Sequence, residues 1–162
     1  MPVDAQKTTR TLSCGVLVLN ERRELLLCHV TGTAWWDIPK GAREPGETPL
    51  EAACRETEEE TGIVLAPERL LDLGEFAYRP DKALHLFATH RMSTQLDPAR
   101  CVCRSHFAHR LTGTPTPEVD AFAWVSFEEV AERCARRMGE LLTRRLSLDA
   151  LAVAAASLDT PR

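Results

Sequence analysis

Apolar runs rich in Val and Leu place β-strands in the first half of the chain. Thr11–Leu19 and Leu25–Val30 are two such runs, separated by a short polar stretch, and they predict a β-hairpin. Leu70–Tyr78 and Lys82–Arg91 flank a turn that contains a proline and predict a second strand pair. Ala121–Val125 predicts a further short strand.

The pattern changes to helical spacing between the first two strand pairs. Residues 39–46 contain two prolines and two glycines and predict a loop without regular structure. Thr48 then provides a helix cap, Pro49 takes the first helical position and Glu51 follows three residues after the cap. Gly62 is the expected stop. These signals predict a helix that carries one apolar face and one acidic face.

The last third of the chain is predicted to be helical. Ser126–Glu129 has the pattern of a second capping box and predicts a helix to about Met138. A further helix is expected over Leu141–Ala156, with Gly139 or Ser147 as breaks. Strands that come early and helices that come late indicate an α/β (α+β) fold in which helices pack on a mixed β-sheet. Because no linker is evident, residues 1–162 are expected to form a single domain, with a core at about 12–129 and C-terminal helices at about 126–156.

Composition excludes several other classes of protein. The chain has 162 residues, of which 44% are hydrophobic and 27% charged, so it is too apolar for a disordered chain. It has no collagen-like period, no repeat and no apolar run of the ~20 residues that a membrane span needs. Residues 1–11 are polar and do not resemble a secretory signal, so a cytoplasmic location and six reduced cysteines are expected.

Negative charge is concentrated in one segment. The chain has a net charge of −4, and residues 44–60 contain seven acidic residues and one basic residue. On the predicted helix Glu56, Glu59 and Glu60 share a face, where their like charges repel one another. A hard divalent cation would relieve that repulsion, because Mg²⁺ prefers oxygen ligands. The alternative is a solvated charged face that binds nothing.

The spacing around these glutamates distinguishes the two readings. The pattern G-x5-E-x7-R-E-U-x-E-E-x-G-U, where U is a bulky aliphatic residue, is the Nudix box, and the chain matches it at Gly41, Glu47, Arg55, Glu56, Glu59, Glu60, Gly62 and Ile63. The chain therefore resembles a Nudix hydrolase. Thr57 stands where the family usually has an aliphatic residue, and its methyl group can still be buried.

The resemblance implies a fold and an activity. It implies a Nudix-like α/β/α sandwich that hydrolyses a pyrophosphate linkage in a nucleoside diphosphate derivative, with Mg²⁺ (or Mn²⁺) as the cofactor. Glu56, Glu59 and Glu60 would be metal ligands, with the main chain of Gly41 close by. Glu59 and Arg55 also belong to the implied catalytic set. A Glu47–Arg55 ion pair would support the site by bracing the loop against the helix.

Three further residues are candidates for the site. Glu118 precedes the last predicted strand and is the candidate general base, with a solvated loop glutamate as the alternative. Lys40 would bind a phosphate, or would be a surface lysine beside a glycine turn. Tyr78 would stack on a nucleobase. Trp35 and Trp36 are further stacking candidates, and burial is expected for at least one of them.

The resemblance narrows the substrate without fixing it. The segment Trp36–Gly41 and Glu118 are most similar to the dinucleoside polyphosphate and RNA pyrophosphohydrolase branch. Within that family Tyr78 indicates a dinucleoside polyphosphate, whereas Pro80 indicates ADP-ribose, so NTP, ADP-ribose and RNA 5'-ends stay open as substrates. A non-catalytic module that binds nucleotides or partners, and a metal-binding regulatory domain, are the alternatives from other functional classes.

Other patterns give weaker signals. The apolar stretch Ala150–Ala156 makes a homodimer contact an option. The sequence Cys101-x-Cys103-x2-His106-x2-His109 contains zinc-binding residue types, but its spacing does not fit known structural zinc sites. Five arginines favour a solvated helix face, with an RNA or polyphosphate patch as the alternative; they are Arg133, Arg136, Arg137, Arg144 and Arg145.

Overall fold

The computed structural model describes residues 10–158. The strands are β1 Thr11–Leu19, β2 Glu24–Val30, β3 Trp36–Asp37, β4 Lys40–Ala42, β5 Leu71–Arg79, β6 Lys82–His90, β7 His106–Ala108, β8 Pro115–Pro117 and β9 Val119–Ser126. The helices are α1 Pro49–Thr61, α2 Val130–Arg133, α3 Arg136–Glu140 and α4 Leu148–Ala156, with a π-helical segment at Leu141–Arg145.

Seven of these strands form one mixed sheet. Its main path runs β3-β2-β1-β6-β5, with β4 also paired to β1 and β9 also paired to β2. The β1–β6 ladder is parallel, and the other ladders are antiparallel. Strands β7 and β8 form a separate two-stranded hairpin beside it. The prediction of a mixed sheet is confirmed.

Strand β1 shows how the sheet is covered on both faces. Cys14, Val16 and Val18 pack against Ala52 and Ala53 of α1. The alternate residues Leu17 and Leu19 face a second apolar cluster that includes residues of α2, α3 and the π-helical segment. Because successive side chains of a strand point to opposite faces, one apolar strand supplies both cores. The predicted α/β/α sandwich is confirmed.

Helix α1 begins and ends where the sequence indicates. The Thr48 side chain accepts a hydrogen bond from the Glu51 amide, and the Glu51 side chain accepts one from the Thr48 amide, which completes the capping box. Gly62 ends the helix in a left-handed conformation with φ of 79°. The same ends fix the position of the acidic face.

The predicted antiparallel pairing of β1 and β2 is confirmed, but only next to the turn. The two strands pair only at their adjoining ends, with Leu19 opposite Leu25. Strand β1 instead pairs with β6 from Thr11 to Leu19, because a strand that is apolar on both faces is most stable inside the sheet. On its other edge β1 pairs with Lys40–Ala42, so the predicted irregular loop contains a short strand. The second predicted pair, β5 and β6, is confirmed as antiparallel.

The C-terminal helices are shorter than predicted. Ser126 makes no side-chain cap, so the predicted second capping box is wrong. The chain leaves helical geometry at Cys134, where the backbone is extended and bridges to Trp36 of β3. Leu141–Arg145 is π-helical rather than α-helical. The break at Ser147 is confirmed, and its side chain caps α4.

Some expectations concern residues outside the described range. The polar residues 1–9, on which the expectation of no secretory signal rests, lie there, as do residues 159–162 at the end of the predicted domain. Within residues 10–158, no helix is long and apolar enough to cross a membrane. All six cysteines lie in the described part and are free thiols. The homodimer contact stays a prediction; Val153, on α4, is 75% exposed.

Candidate active site

Strand β4 lies directly against the acidic face of α1. The Lys40 amide donates a hydrogen bond to the Glu60 carboxylate at 3.1 Å. Gly41 is so close to Glu56 that a Cβ at this position would overlap the carboxylate. Glycine is therefore needed here for space, since any larger residue would push the strand away from the helix. The contact places Glu56 and Glu60 beside the backbone of β4.

Arg55 links the carboxylates of the site. Its guanidinium donates two hydrogen bonds to Glu47, at 2.8 and 2.9 Å, in the bidentate geometry that suits a carboxylate. It also donates to Glu56 at 2.8 Å, to Glu59 at 3.2 Å and to the Ala42 carbonyl at 3.1 Å. The predicted Glu47–Arg55 ion pair is present, and it joins the loop after β4 to α1.

The glutamates of the site differ in their pKa values. Hydrogen bonds from Arg55 lower the pKa of Glu47 to about 2. Burial raises the pKa of Glu56, although Arg55 opposes that shift. Burial also raises the pKa of Glu60 to about 8; Lys40 opposes the rise, and the nearby Glu56 and Glu118 add to it. Glu60 is thus a buried carboxyl group that lacks enough nearby positive charge to ionise at neutral pH.

A cavity of about 510 Å³ opens beside these carboxylates. Four acidic residues line it, Asp37, Glu60, Asp81 and Glu118, and three basic residues, Lys40, Arg79 and Lys82. Burial lowers the pKa of Lys82, and the neighbouring Lys40 and Arg79 lower it further. Asp37 and Asp81 oppose that shift, and an anionic ligand beside Lys82 would act in the same direction as these two carboxylates. The cavity therefore combines carboxylates for a cation with basic groups for an anion.

Lys40 lies in this cavity in a fixed position. Its ammonium group contacts the Asp37 carboxylate at 2.6 Å, and both side chains are about one-fifth exposed. Burial works against the charged ammonium, but the Asp37 carboxylate prevails and raises the pKa of Lys40. Lys40 is therefore a positioned cation rather than a freely solvated surface lysine.

Glu118 is held at the opposite wall by backbone and side-chain contacts. Its amide donates to the Ser105 carbonyl at 3.0 Å, and its carbonyl accepts from the Thr31 amide at 3.1 Å. The Ser105 hydroxyl donates to the Glu118 carboxylate at 3.3 Å. The residues between Ser105 and Glu118 include the β7–β8 hairpin. The pairing of β7 with β8 therefore helps to position the Glu118 carboxylate.

Tyr78 does not line that cavity, although the charges of Asp37 and Lys40, which do, act on its phenol. Its ring packs against the apolar cluster under the C-terminal helices, and burial raises the pKa of the phenol. The residue lines a different cavity, together with Arg137 and Arg145, which donate to the carbonyls of Tyr78 and Ala77 at 2.8 Å. A role for Tyr78 in substrate binding stays a prediction.

Several lining residues were not singled out from the sequence. Asp37, Arg79, Lys82, Thr31 and Phe107 reach the cavity from three separate parts of the chain. Most of them come after the motif in the sequence. No regular spacing in the sequence connects the β5–β6 turn with the β7–β8 hairpin. Only the position of Asp37 within the segment before the motif gave a usable signal.

The donor atoms of the site suit a hard divalent cation. Glu56, Glu59, Glu60 and the main chain of Gly41 offer oxygen atoms, which Mg²⁺ and Mn²⁺ prefer. The raised pKa of Glu56 and Glu60 indicates that added positive charge would stabilise their ionised forms. In the arrangement of residues 10–158, no three His, Cys, Asp or Glu side chains converge as a ready-made metal site. In this part of the chain, neither the three glutamates of α1 nor the Cys101–His109 pattern forms such a ready-made site.

Known proteins are similar to this chain in sequence. The model of the NUDIX domain matches residues 9–145. A 17.7 kDa protein of Enterobacteria phage T4 is 38% identical over 72% of this chain and 82% of its own length. An RNA pyrophosphohydrolase of Marinomonas sp. (strain MWYL1) is 33% identical over 70% of this chain and 73% of its own length.

Solved structures agree at the level of the fold. A C. elegans Ap4A hydrolase in a binary complex has a TM-score of 0.58 and 20% identity, with 90% of this chain and 98% of that chain covered. The matched domain includes the cavity, the acidic face of α1 and the Glu47–Arg55 pair. Nudix hydrolases generally use divalent metal ions. The chain belongs to the Nudix hydrolase family, whose members act on pyrophosphate bonds, and it is an enzyme of that class.

Proposed function

We propose that this Nudix hydrolase cleaves a pyrophosphate linkage in a nucleoside diphosphate derivative in a reaction that depends on Mg²⁺ (or Mn²⁺). One observation carries the proposal. The cavity beside α1 is lined by acidic residues, Asp37, Glu60, Asp81 and Glu118, and also by basic residues, Lys40, Arg79 and Lys82. A polyphosphate with its bound cations needs both kinds of group within reach of one another.

The acidic face of α1 is the proposed metal site. Glu56, Glu59 and Glu60 would hold the cation together with the main chain of Gly41, and Arg55 would yield its contacts to Glu56 and Glu59 when the cation binds. When bound, the cation neutralises phosphate oxygens and lowers the pKa of the attacking water. Glu47 would then keep Arg55 close to the site and hold the loop against the helix.

Glu118 is the proposed general base. Its carboxylate lines the same cavity as Glu60 and is oriented by the Ser105 hydroxyl. A general base must lie within hydrogen-bond reach of the attacking water, whose proton it accepts as the water attacks the phosphorus. Lys40, Arg79 and Lys82 would bind the non-bridging oxygens of the phosphate that leaves, because they are the basic groups of the cavity.

A dinucleoside polyphosphate is the proposed substrate. The segment Trp36–Gly41 and Glu118 favour the branch that acts on dinucleoside polyphosphates and RNA, and Tyr78 favours the former. A fold shared with an Ap4A hydrolase is consistent with it. The second candidate is 5'-triphosphorylated RNA, which is favoured by the similarity to an RNA pyrophosphohydrolase. Both substrates carry the same charged linkage and differ in what lies beyond it.

The test is a panel of substrates with and without Mg²⁺. Dinucleoside polyphosphates, nucleoside triphosphates, ADP-ribose and triphosphorylated RNA are incubated with the protein, and the products are separated by chromatography. Metal-dependent release of a nucleotide from a dinucleoside polyphosphate is expected. Preferential cleavage of RNA would replace the proposed substrate by the second candidate. No cleavage, with nucleotide binding still measurable, would identify a non-catalytic binding module instead.

Two matched variants test the metal site. Glu59→Gln and Glu60→Gln keep the size of the side chain and remove its charge, so turnover is expected to fall by orders of magnitude. Glu58→Gln is the control on the same helix, and its turnover should stay near wild type. Full activity of both test variants would contradict the assignment of these glutamates.

A further inference from the structure

The cavity that Tyr78 lines has a volume of about 400 Å³ and lies where β5 meets α3 and the π-helical segment. Three of the five arginines between residues 133 and 145 line it. Its charged residues are Arg136, Arg137, Glu140 and Arg145, and β5 contributes Ala77 and Tyr78. Three positive charges against one negative charge give this group, the arginine cavity, a net charge of +2, whereas the whole chain carries −4.

Two of these arginines are held in place by the backbone of β5. Arg137 donates a hydrogen bond to the Tyr78 carbonyl and Arg145 donates one to the Ala77 carbonyl, both at 2.8 Å. Strand β5 is the last strand of the sheet, and Tyr78 is the extra residue of a bulge in its ladder with β6. Each contact therefore fixes a guanidinium group at an open strand edge without neutralising its charge.

The charge of these two guanidinium groups is not balanced by a carboxylate. Within residues 10–158 neither Arg137 nor Arg145 forms an ion pair, whereas Arg136 contacts Glu140 at 3.2 Å. A guanidinium group has five N–H donors, and each carbonyl contact uses only one of its two terminal nitrogens. Two fixed cations with unused donors are therefore available to one ligand in the arginine cavity.

The π-helical segment helps to bring these two arginines to the same strand. Arg137 and Arg145 are eight residues apart, and in a continuous α-helix such residues leave the axis about 80° apart. The i→i+5 bonds of a π-helix widen the turns, so each residue of Leu141–Arg145 rotates less and the total approaches two full turns. Turns of this kind are rare and are frequent at functional sites. Here the π-helical turn contributes directly to the pairing of the two arginines.

We propose that the arginine cavity is a second phosphate site, separate from the catalytic cavity, and that it binds pyrophosphate or the terminal phosphate of a nucleotide. Guanidinium groups suit phosphate oxygens because they donate paired, parallel hydrogen bonds. A terminal phosphate carries about −1.5 to −2 charge at pH 7, which matches the net charge of the cavity. A phosphodiester carries a single charge and matches it less well. The inference is independent of the proposed activity, because it uses no residue of the Nudix motif.

Tyr78 provides a reporter for this site, since it is the one tyrosine of the chain and lines the arginine cavity. Protein labelled with ¹³C at the tyrosine Cζ atom gives a single NMR signal, which is followed during titration with inorganic pyrophosphate in the presence of a chelator. A saturable shift of this signal is expected for wild type. Arg137→Gln and Arg145→Gln should each weaken binding about tenfold to a hundredfold, the usual effect of a lost hydrogen bond between charged groups.

Arg144→Gln is the matched control. It removes the same charge from the residue next to Arg145, and Arg144 does not line the arginine cavity. Its pyrophosphate affinity should equal that of wild type. Equal weakening by Arg144→Gln and Arg137→Gln would overturn the proposal, because the attraction would then be a general effect of positive charge on the helical segment.

Arg136→Gln keeps the test decisive if loss of a contact to β5 disturbs the fold. The Arg136 side chain is 91% exposed and contacts Glu140 rather than the strand. This variant should keep the melting temperature of wild type and weaken pyrophosphate binding several-fold. Unchanged affinity of Arg136→Gln, together with a lower melting temperature of Arg137→Gln and Arg145→Gln, would show that the arginines only protect the strand edge, and would refute the site.

Lys82→Gln separates the two cavities, because Lys82 lines the catalytic cavity alone. The Tyr78 signal of this variant should respond to pyrophosphate as in wild type. If the response is lost in Lys82→Gln and kept in Arg137→Gln, pyrophosphate binds only in the catalytic cavity and the proposal is wrong. A single-stranded RNA with a 5'-hydroxyl end is the comparison ligand. Tighter binding of this RNA than of pyrophosphate, with the same dependence on Arg137, would replace the terminal phosphate by a phosphodiester as the ligand.

Discussion

Glu60→Gln is expected to stabilise the metal-free protein at neutral and alkaline pH while it removes activity. Glu60 is 6% exposed, and its pKa rises from an ordinary 4.5 to about 8, chiefly through burial. Between pH 4.5 and about pH 8, Glu60 holds a proton in the folded protein that it has lost in the unfolded chain. The free energy of unfolding therefore falls as the pH rises through this range. The loss is about 1.4 kcal/mol for each pH unit, which gives at most ~3 kcal/mol at pH 7.

The variant abolishes this loss because glutamine does not ionise. Urea unfolding of wild type, Glu60→Gln and Glu58→Gln in the presence of a chelator gives the free energy of unfolding at pH 5 and pH 8. The difference between Glu60→Gln and wild type should be about 1 kcal/mol at pH 5 and about 4 kcal/mol at pH 8, in favour of the variant at both. Glu58→Gln should follow wild type at both pH values.

Added Mg²⁺ should narrow the gap at pH 8, because a cation beside Glu60 stabilises the ionised carboxylate of the wild type alone. The reasoning is refuted if Glu60→Gln is no more stable than wild type at pH 8 without metal. That result would mean that Glu60 is already ionised in the folded protein, with charge compensation that its contact to the Lys40 amide does not provide.

Three other substitutions distinguish residues that shape the site from residues that only stabilise the fold. Gly41→Ala would force a methyl group into the Glu56 carboxylate, so thermal unfolding should show a loss of roughly 1–3 kcal/mol and turnover should fall at saturating Mg²⁺. Arg55→Lys loses the bidentate contact to Glu47. The metal concentration that gives half-maximal turnover should rise about 10- to 100-fold, and an unchanged concentration would contradict a bracing role. Leu142→Ala empties a fully buried position under the sheet and should cost about 2–5 kcal/mol in urea unfolding, with kcat of the remaining folded protein unaltered.

Local signals predicted those elements whose cause lies within a few residues. The capping residues of α1 and the left-handed Gly62 act within one helical turn, so the helix was placed correctly. The Glu47–Arg55 pair was also predictable, because the motif fixes the spacing of its partners. In contrast, Ser126 has the residue type of a cap but makes no capping bond, since the chain enters the helical region through Phe127–Glu129 in a 3-10 turn.

Features that depend on distant partners were not visible in the sequence. Nothing in β1 alone shows that its main partner is β6 rather than β2, because an apolar strand suits either neighbour. Thr31, Arg79 and Phe107 carry no special pattern, and they reach one cavity through strand pairings that lie outside the motif. The contacts within the motif were therefore predictable, whereas the cavity lining outside it was not.

The parallel pairing of β1 with β6 also determines when the site can form during synthesis of the chain. Thr11 pairs with Lys82 and Leu19 with His90, so the central ladder cannot close until the chain has left the ribosome well beyond the motif. Strand β4, which holds Gly41 against α1, is itself paired to β1. Closure of such distant contacts is slow compared with helix formation, because chain entropy is lost before the contacts form. A nascent chain that ends before β6 should therefore carry every glutamate of the motif and still fail to bind metal.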